Sequence, residues 1–212
     1  MNHMSVLRRA VELETAAWRS LGRWLLRRPD VAPGDTPFGY HGSRSAMLVI
    51  AVLSALEVLL ADLLVPWQSL QPAVLVLGVW RTGLMLGLVA GVLVCPHAMG
   101  PRGLRVRHGA GLDVRIPWDA VAGVRRLRRS RHGRGVQLEG SVLHVAASGQ
   151  TTVEVALNRP FAVMLPGGRV TRVREIRFHA DDSAGLVTAA RARLGADAAR
   201  RRSTLSQRQA FR

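Results

Sequence analysis

Two apolar runs constrain what the rest of this chain can be. Ala46 to Val65 reads AMLVIAVLSALEVLLADLLV, and Ala73 to Cys95 reads AVLVLGVWRTGLMLGLVAGVLVC. Each has the roughly 20 residues that a helix needs to cross a hydrocarbon core of about 30 Å. Between them the segment PWQSLQP, Pro66 to Pro72, carries no charge and has a proline at either end. Proline stops one helix and suits the first turn of the next. The pattern predicts a transmembrane helical hairpin, 46–65 and 73–95. A buried hairpin in the core of a soluble protein is the alternative, and the exclusion of charge to the flanks disfavours it.

Three ionisable residues fall inside the runs. Glu57 and Arg81 sit eight residues from the turn on either side, roughly 12 Å at 1.5 Å per residue. Equal depth predicts that they meet as an intramembrane pair, since an unpaired charge there costs several kcal/mol. Asp62 lies about one turn from the end and can reach headgroups or Arg81. One carboxylate and one guanidinium on two helices do not enclose a proton or ion pathway, so the pairing is read as fixing the rotation of the helices. Gly83, Gly87 and Gly91 recur every four residues and line one face of the second run, with Ala51 and Ala55 offering a similar face on the first. Small residues at this spacing let a second helix approach closely. Either the first run or another copy of the chain can fill that role.

Charge sets the expected orientation. All 30 basic residues are arginine, against 14 acidic residues. Residues 1–45 carry a net charge of +3, the hairpin −1 and residues 96–212 a net +14. Arginine therefore flanks both outer ends of the hairpin, while the turn with Trp67 has none. The positive-inside rule then predicts a cell-membrane protein, multi-pass, with both termini cytoplasmic. A lone cysteine, Cys95, allows no internal disulfide and fits a reducing compartment. The first apolar run begins too late and is too long for the core of a cleavable leader.

Along the chain, residues 5–28 form an amphipathic pattern with Leu7, Val11, Trp18, Leu21 and Leu25 near one face. Such a segment can lie on the inner leaflet or remain a loose tail. Residues 29–44, rich in proline and glycine, read as a linker, so 1–45 is a cytoplasmic amphipathic and linker segment. After Pro96 the period changes to two. Leu104 and Val106, then Leu112, Val114 and Ile116, alternate with charged residues about the turn at Gly109 and Gly111. Val121 and Val124, Val136 and Leu138, Leu143 and Val145, Val153 to Leu157, Phe161 to Leu165, and Ile176 and Phe178 continue the series. The pattern between Val170 and Glu175 is imperfect, which suggests a bulge or an edge. Asp181 or Asp182 caps a helix to about Leu194. The expected fold is an α+β membrane protein: the hairpin, then a small antiparallel β-barrel or sandwich over 96–195 capped by a C-terminal helix. Residues 196–212 read as a basic tail, disordered or weakly helical.

The segment GLRVRHGAGLDVRIPWDAVAGVR, Gly103 to Arg125, resembles the opening of bacterial pleckstrin-homology-like domains. EIRFHADDSAGLVTAARARL, Glu175 to Leu194, resembles their last strand and C-terminal helix. With the hairpin ahead of it, the chain is similar over roughly residues 38–195 to small two-helix membrane proteins of actinobacteria. The resemblance implies fold and topology, and brings no ligand and no site residues with it.

The sharpest local feature is Arg125 to Arg134, with arginine at 125, 126, 128, 129, 131 and 134. Each basic residue near an anionic leaflet gains about 1 kcal/mol. Tethered at Cys95, this loop can touch anionic lipid headgroups, and a solvated loop or a protein partner is the other reading. Nucleic acid is disfavoured, because few aromatics interleave with the arginines and the chain is anchored. The seven histidines are scattered without metal-ligand or catalytic spacing, and Gly167-Gly168 is not followed by a phosphate-loop lysine. His144 reads as a sheet-surface residue. No catalytic residue, cofactor or metal is expected. The functional expectation is a non-catalytic binding or scaffolding module at the inner membrane face, its partners the bilayer and anionic headgroups. The alternative is a structural or regulatory subunit of a larger membrane complex, through a homo-oligomer or a membrane-protein partner.

Overall fold

A computed structural model of the protein describes residues 3–40, 44–64, 70–109, 111–130, 135–147, 149–166 and 168–210. Its helices α1 (His3–Leu25), α2 (Arg44–Leu64) and α3 (Gln71–Val94) precede the bulk of the β-structure. α3 takes Pro72 in its first turn, where a missing N–H leaves nothing unpaired. Among the described residues α3 is the one helix long and apolar enough to cross a membrane, and only 17% of its most apolar 18-residue window is buried. A core helix of that composition would be mostly covered. α2 packs against α3, yet several of its side chains, that of Asp62 included, lie outside those described. The expectation of two spans is therefore met for one helix here. The expected turn with Trp67 also lies outside the described residues.

The glycine stripe on α3 is filled by α1, which departs from both expectations for it. A Cβ on Gly83 would stand 2.6 Å from the Trp18 ring, and one on Gly87 would stand 2.5 Å from the Ala17 carbonyl oxygen. Gly91, one turn further, is buried too. Trp24 and Leu25 line one open cleft with Leu93 and Val94, so α1 and α3 run in the same direction and end together. The amphipathic segment is thus a packed helix: small residues on both sides allow the close approach, and dispersion contacts follow.

The strands form two sheets. β1 (Thr36–Phe38), β2 (His97–Gly100), β3 (Gly103–His108) and β4 (Leu112–Pro117) pair in that order. β5 (Val121–Ser130), β6 (Gly135–Glu139), β7 (Val142–Ala146), β8 (Gln150–Met164) and β9 (Val170–Phe178) pair in the order β5-β8-β9-β7-β6. Every pairing is antiparallel except β7 with β9, which is parallel. The sheets share one core, from Leu104, Val106 and Ile116 on the first to Val153, Val155, Ile176 and Phe178 on the second. The structure is a two-sheet sandwich and does not close into a barrel. β1 comes from the segment expected to be a linker, so α2 and α3 are inserted between the first two strands of the first sheet.

Local chemistry explains the elements. β4 alternates buried Leu112, Val114 and Ile116 with exposed Asp113 and Arg115, the period-two pattern of a half-buried strand. The β6–β7 hairpin turns at Gly140, whose φ of 57° is the left-handed region that a side chain would strain. β8 runs straight through Pro160, because the ladder to β9 is interrupted between Ala156 and Phe161 and no donor is missed there. α4 (Ser183–Ala210) is longer than expected and continues into the basic tail. It begins where the Gly185 N–H donates to the Asp182 carboxylate at 2.8 Å. Leu186, Val187 and Ala190 then enter the sandwich core, and the Arg191 side chain donates to the Val124 carbonyl at 3.0 Å.

Candidate functional site

Asp30 joins the helices to the sandwich. Its N–H donates to the carbonyl of Val94, the last residue of α3, at 2.8 Å. Its carboxylate pairs with Arg23 of α1 at 2.8 Å and with Arg107 of β3 at 2.6 Å, and Arg105 stands 3.5 Å away. Burial alone would push this carboxyl up; the hydrogen bond from Arg23 and the charge of Arg107 outweigh it and hold the group below its ordinary range. Beside it, the Tyr40 hydroxyl donates to the Cys95 carbonyl at 3.1 Å and accepts from the Gly109 N–H at 2.7 Å. His97 accepts from the Arg107 N–H at 3.0 Å through Nδ1 and donates through Nε2 to the His179 carbonyl at 2.9 Å. Fully buried and already accepting a backbone donor, His97 is pushed down to about 3 by desolvation.

These contacts fix which end of the sandwich faces α3. Ala147 packs with Tyr40 and Val92, and Ala147 closes the β7–β8 turn by exchanging bonds with Gln150. Gln150 is the ladder partner of Ser130, and Ala146 that of Gly135. The ends of β5, β6, β7 and β8 therefore gather beside the last turn of α3, with the β3–β4 turn at Gly109. The arginine-rich stretch lies at this end.

Its arginines are not equivalent. Arg125 sits opposite Glu154 in the ladder and makes a close ion pair with it. Glu154 is 3% exposed and Arg177 stands 3.3 Å away on its other side, so Arg125 neutralises a buried carboxylate. Arg126 follows Val124 on the sheet, is exposed, and lines an open cleft of about 520 Å3. Arg128 lines the same cleft and donates to the Gln150 side-chain oxygen at 3.1 Å. Arg129 is exposed near the strand end. Arg131 and Arg134 lie outside the described residues. The cleft is completed by Thr152, His179, Asp181 and Ser183, the first residue of α4. Thr152 is committed to Ala180, accepting its N–H at 2.9 Å and donating to its carbonyl at 3.0 Å.

In the helical layer the Arg81 guanidinium meets the Glu57 carboxylate at 2.6 Å, and both side chains point outward, 49% and 60% exposed. Around them Leu53, Leu56, Leu60, Leu77, Val79 and Trp80 are exposed as well. His144 is buried at 2% exposure, 3.5 Å from the Glu139 carboxylate, and not on a sheet surface as expected. Among the described residues no group of three or more His, Cys, Asp or Glu side chains could hold a metal ion.

Sequence reasoning missed the Asp30 hub and the cleft. The proline- and glycine-rich stretch around Asp30 has no periodicity to mark it, and the cleft joins residues from β5, β8 and α4. Comparison with protein-family models, with curated proteins and with solved structures found no match to this chain.

Proposed function

We propose that this chain is a membrane-anchored, non-catalytic binding module whose sandwich turns its arginine-bearing end toward an anionic inner leaflet. α2 and α3 cross the bilayer as a hairpin, with α1 packed beside α3 and its Arg23 at headgroup level, bonded to Asp30 at the end of α3. The observation that carries this reading is the contact of Ala147 and Tyr40 with Val92. It ties the end of the sandwich bearing Arg126, Arg128 and Arg129 to the end of the apolar helix. A negative surface within about 8 Å at physiological salt relieves the repulsion among those charges. Anchoring keeps the domain at high effective concentration near the leaflet, so weak intrinsic affinity suffices. The sandwich with its C-terminal helix is compatible with a pleckstrin-homology-like domain, although the parallel β7–β9 pair departs from an all-antiparallel design. The outward-facing Glu57–Arg81 pair favours a second reading, a subunit of a membrane complex, because an ion pair open to lipid is costly until a neighbour covers it.

Two measurements test the reading. Full-length chain in membranes should resist alkaline carbonate extraction, and a reporter fused after Gly100 should be active only as a cytoplasmic one. Release by carbonate, or a reporter active on the far side, would reject it. Co-purification of one stoichiometric membrane protein after gentle solubilisation would favour the second reading.

A further inference from the structure

We propose that the face of the helical hairpin bearing Glu57 and Arg81 docks a second copy of this chain, about a two-fold axis along the bilayer normal. This rests on the hairpin crossing the membrane, as read above, and names the partner that covers its ion pair. On α3 the glycine face is already taken, because α1 fills it at Gly83 and Gly87. Gly83 follows Arg81 by two positions, which at 3.6 residues per turn puts the two on opposite sides of the helix. α1 therefore leaves the Arg81 face open. That face continues onto α2, where Leu53 and Leu60 stand one turn to either side of Glu57, as Leu77 stands one turn before Arg81; all three leucines are exposed.

Exposed leucines alone would be satisfied by lipid tails, but the ion pair is not. Arg81 donates through Nη2 to Glu57 Oε2 at 2.6 Å. A guanidinium has five N–H donors and a carboxylate accepts on both oxygens. Among the described residues neither side chain has a further hydrogen-bond or ion-pair partner. Symmetry supplies one. Two chains inserted in the same direction meet face to face about a two-fold axis along the membrane normal, and in such an isologous contact residue i meets j while j meets i. Rotation about that axis sets α2 of one copy opposite α3 of the other. Glu57 and Arg81 are equally far from the turn in sequence and touch across the hairpin, so Glu57 faces the partner's Arg81. The charges of the two copies then alternate in sign around a closed ring. Each guanidinium forks between two carboxylates, and no charged group is left against hydrocarbon. A pair split between two depths, or carried on one helix, would not match its own rotated image.

The test uses the full chain in liposomes, with Cys95→Ala so that every thiol is an introduced one. Leu60→Cys in one tagged chain and Leu77→Cys in a second, differently tagged chain stand on facing helices of the two-fold contact. Mild oxidation should join 60 to 77 in strong preference to 60 to 60 or 77 to 77. A second set of chains also carries Glu57→Arg together with Arg81→Glu. This exchange keeps the ion pair inside each chain, so the hairpin still closes, and two exchanged chains should cross-link as well as two unaltered ones. An exchanged chain beside an unaltered one meets like charges at both positions, and its cross-linking should fall about tenfold. Free mixing of the two kinds, or failure of exchanged chains to pair with each other, would overturn the ring. A chain that resists carbonate extraction yet stays single would overturn the second copy and leave the membrane-anchored reading standing. Capture of a different membrane protein at these cysteines would overturn the second copy and give the face to that protein. Release of the chain by carbonate would overturn both.

Discussion

Arg107 donates twice to a single residue, Asp30: to its carbonyl oxygen at 3.0 Å and to its carboxylate at 2.6 Å. Because Asp30 also donates to Val94 at the end of α3, this one buried arginine couples the sandwich to the membrane-length helix. Replacing Arg107 with Leu should cost about 1.5–3 kcal/mol, since two charge-assisted hydrogen bonds to Asp30 are lost while Arg23 and Arg105 still hold its carboxylate. Chemical denaturation in detergent should register that loss. Trypsin should also cut faster after Arg27, between α1 and β1. Unchanged stability and cleavage would mean the junction does not depend on this pair.

Helix packing gives an ordering of two substitutions. At Gly87 a methyl group would meet the Ala17 backbone, which cannot step aside, whereas at Gly83 it would meet the end of the Trp18 side chain. Gly87→Ala should therefore cost about 1–3 kcal/mol through overpacking, and Gly83→Ala less. Release of α1, followed by tryptic cleavage at Arg19 and Arg23, is the measurement. The reverse order would show that α1 does not sit where it is described.

Part of the sandwich can be read from the sequence, because alternation in β4 and the first half of β3 reports burial directly, whereas β7 is buried on both faces, His144 included. The register of pairing cannot be read in this way. That Arg125 faces Glu154 while Arg126 opens into a cleft follows from which residue stands opposite, and no local pattern encodes it. The same holds for the parallel β7–β9 pair and for β1, whose three residues are too few to show a period. The glycine stripe told that a helix would approach α3, but α1 and α2 both have small residues to offer. Val153 to Leu157 and Phe161 to Leu165 read as separate strands but are one, since the interruption of the ladder that tolerates Pro160 belongs to the partner strand as much as to β8.

His97 predicts an acid-sensitive fold. Its folded-state value lies near 3, below the ordinary value of about 6.5, so between those limits the unfolded chain binds a proton that the folded chain refuses. Stability is then complete above about pH 6.5 and falls as pH drops toward 3, by up to about 1.4 kcal/mol per pH unit. His108, held down by the same desolvation, adds to the slope. Denaturation midpoints from pH 7 to pH 4.5 should follow this trend, and His97→Gln should flatten it. A slope unchanged by that substitution would assign the acid sensitivity elsewhere.

The Glu57–Arg81 pair can be weighed by a double-mutant cycle in micelles. Glu57→Gln and Arg81→Leu should each destabilise the helices, and the double change should cost less than their sum, because neither partner is then left uncompensated. Strict additivity would mean that the 2.6 Å contact carries no coupling.

The central claim is that the arginine-bearing end of the sandwich lies against the leaflet in which α3 ends. Depth measurement tests it most directly. Ser130, at the end of β5, and Ser141, in the opposite β6–β7 turn, can each be changed to a single labelled cysteine in a chain carrying Cys95→Ala. In nanodiscs containing anionic lipid, headgroup-attached quenchers should extinguish the label at 130 and leave that at 141 bright. High salt should weaken the quenching at 130. Equal quenching at both sites, or stronger quenching at 141, would contradict the account.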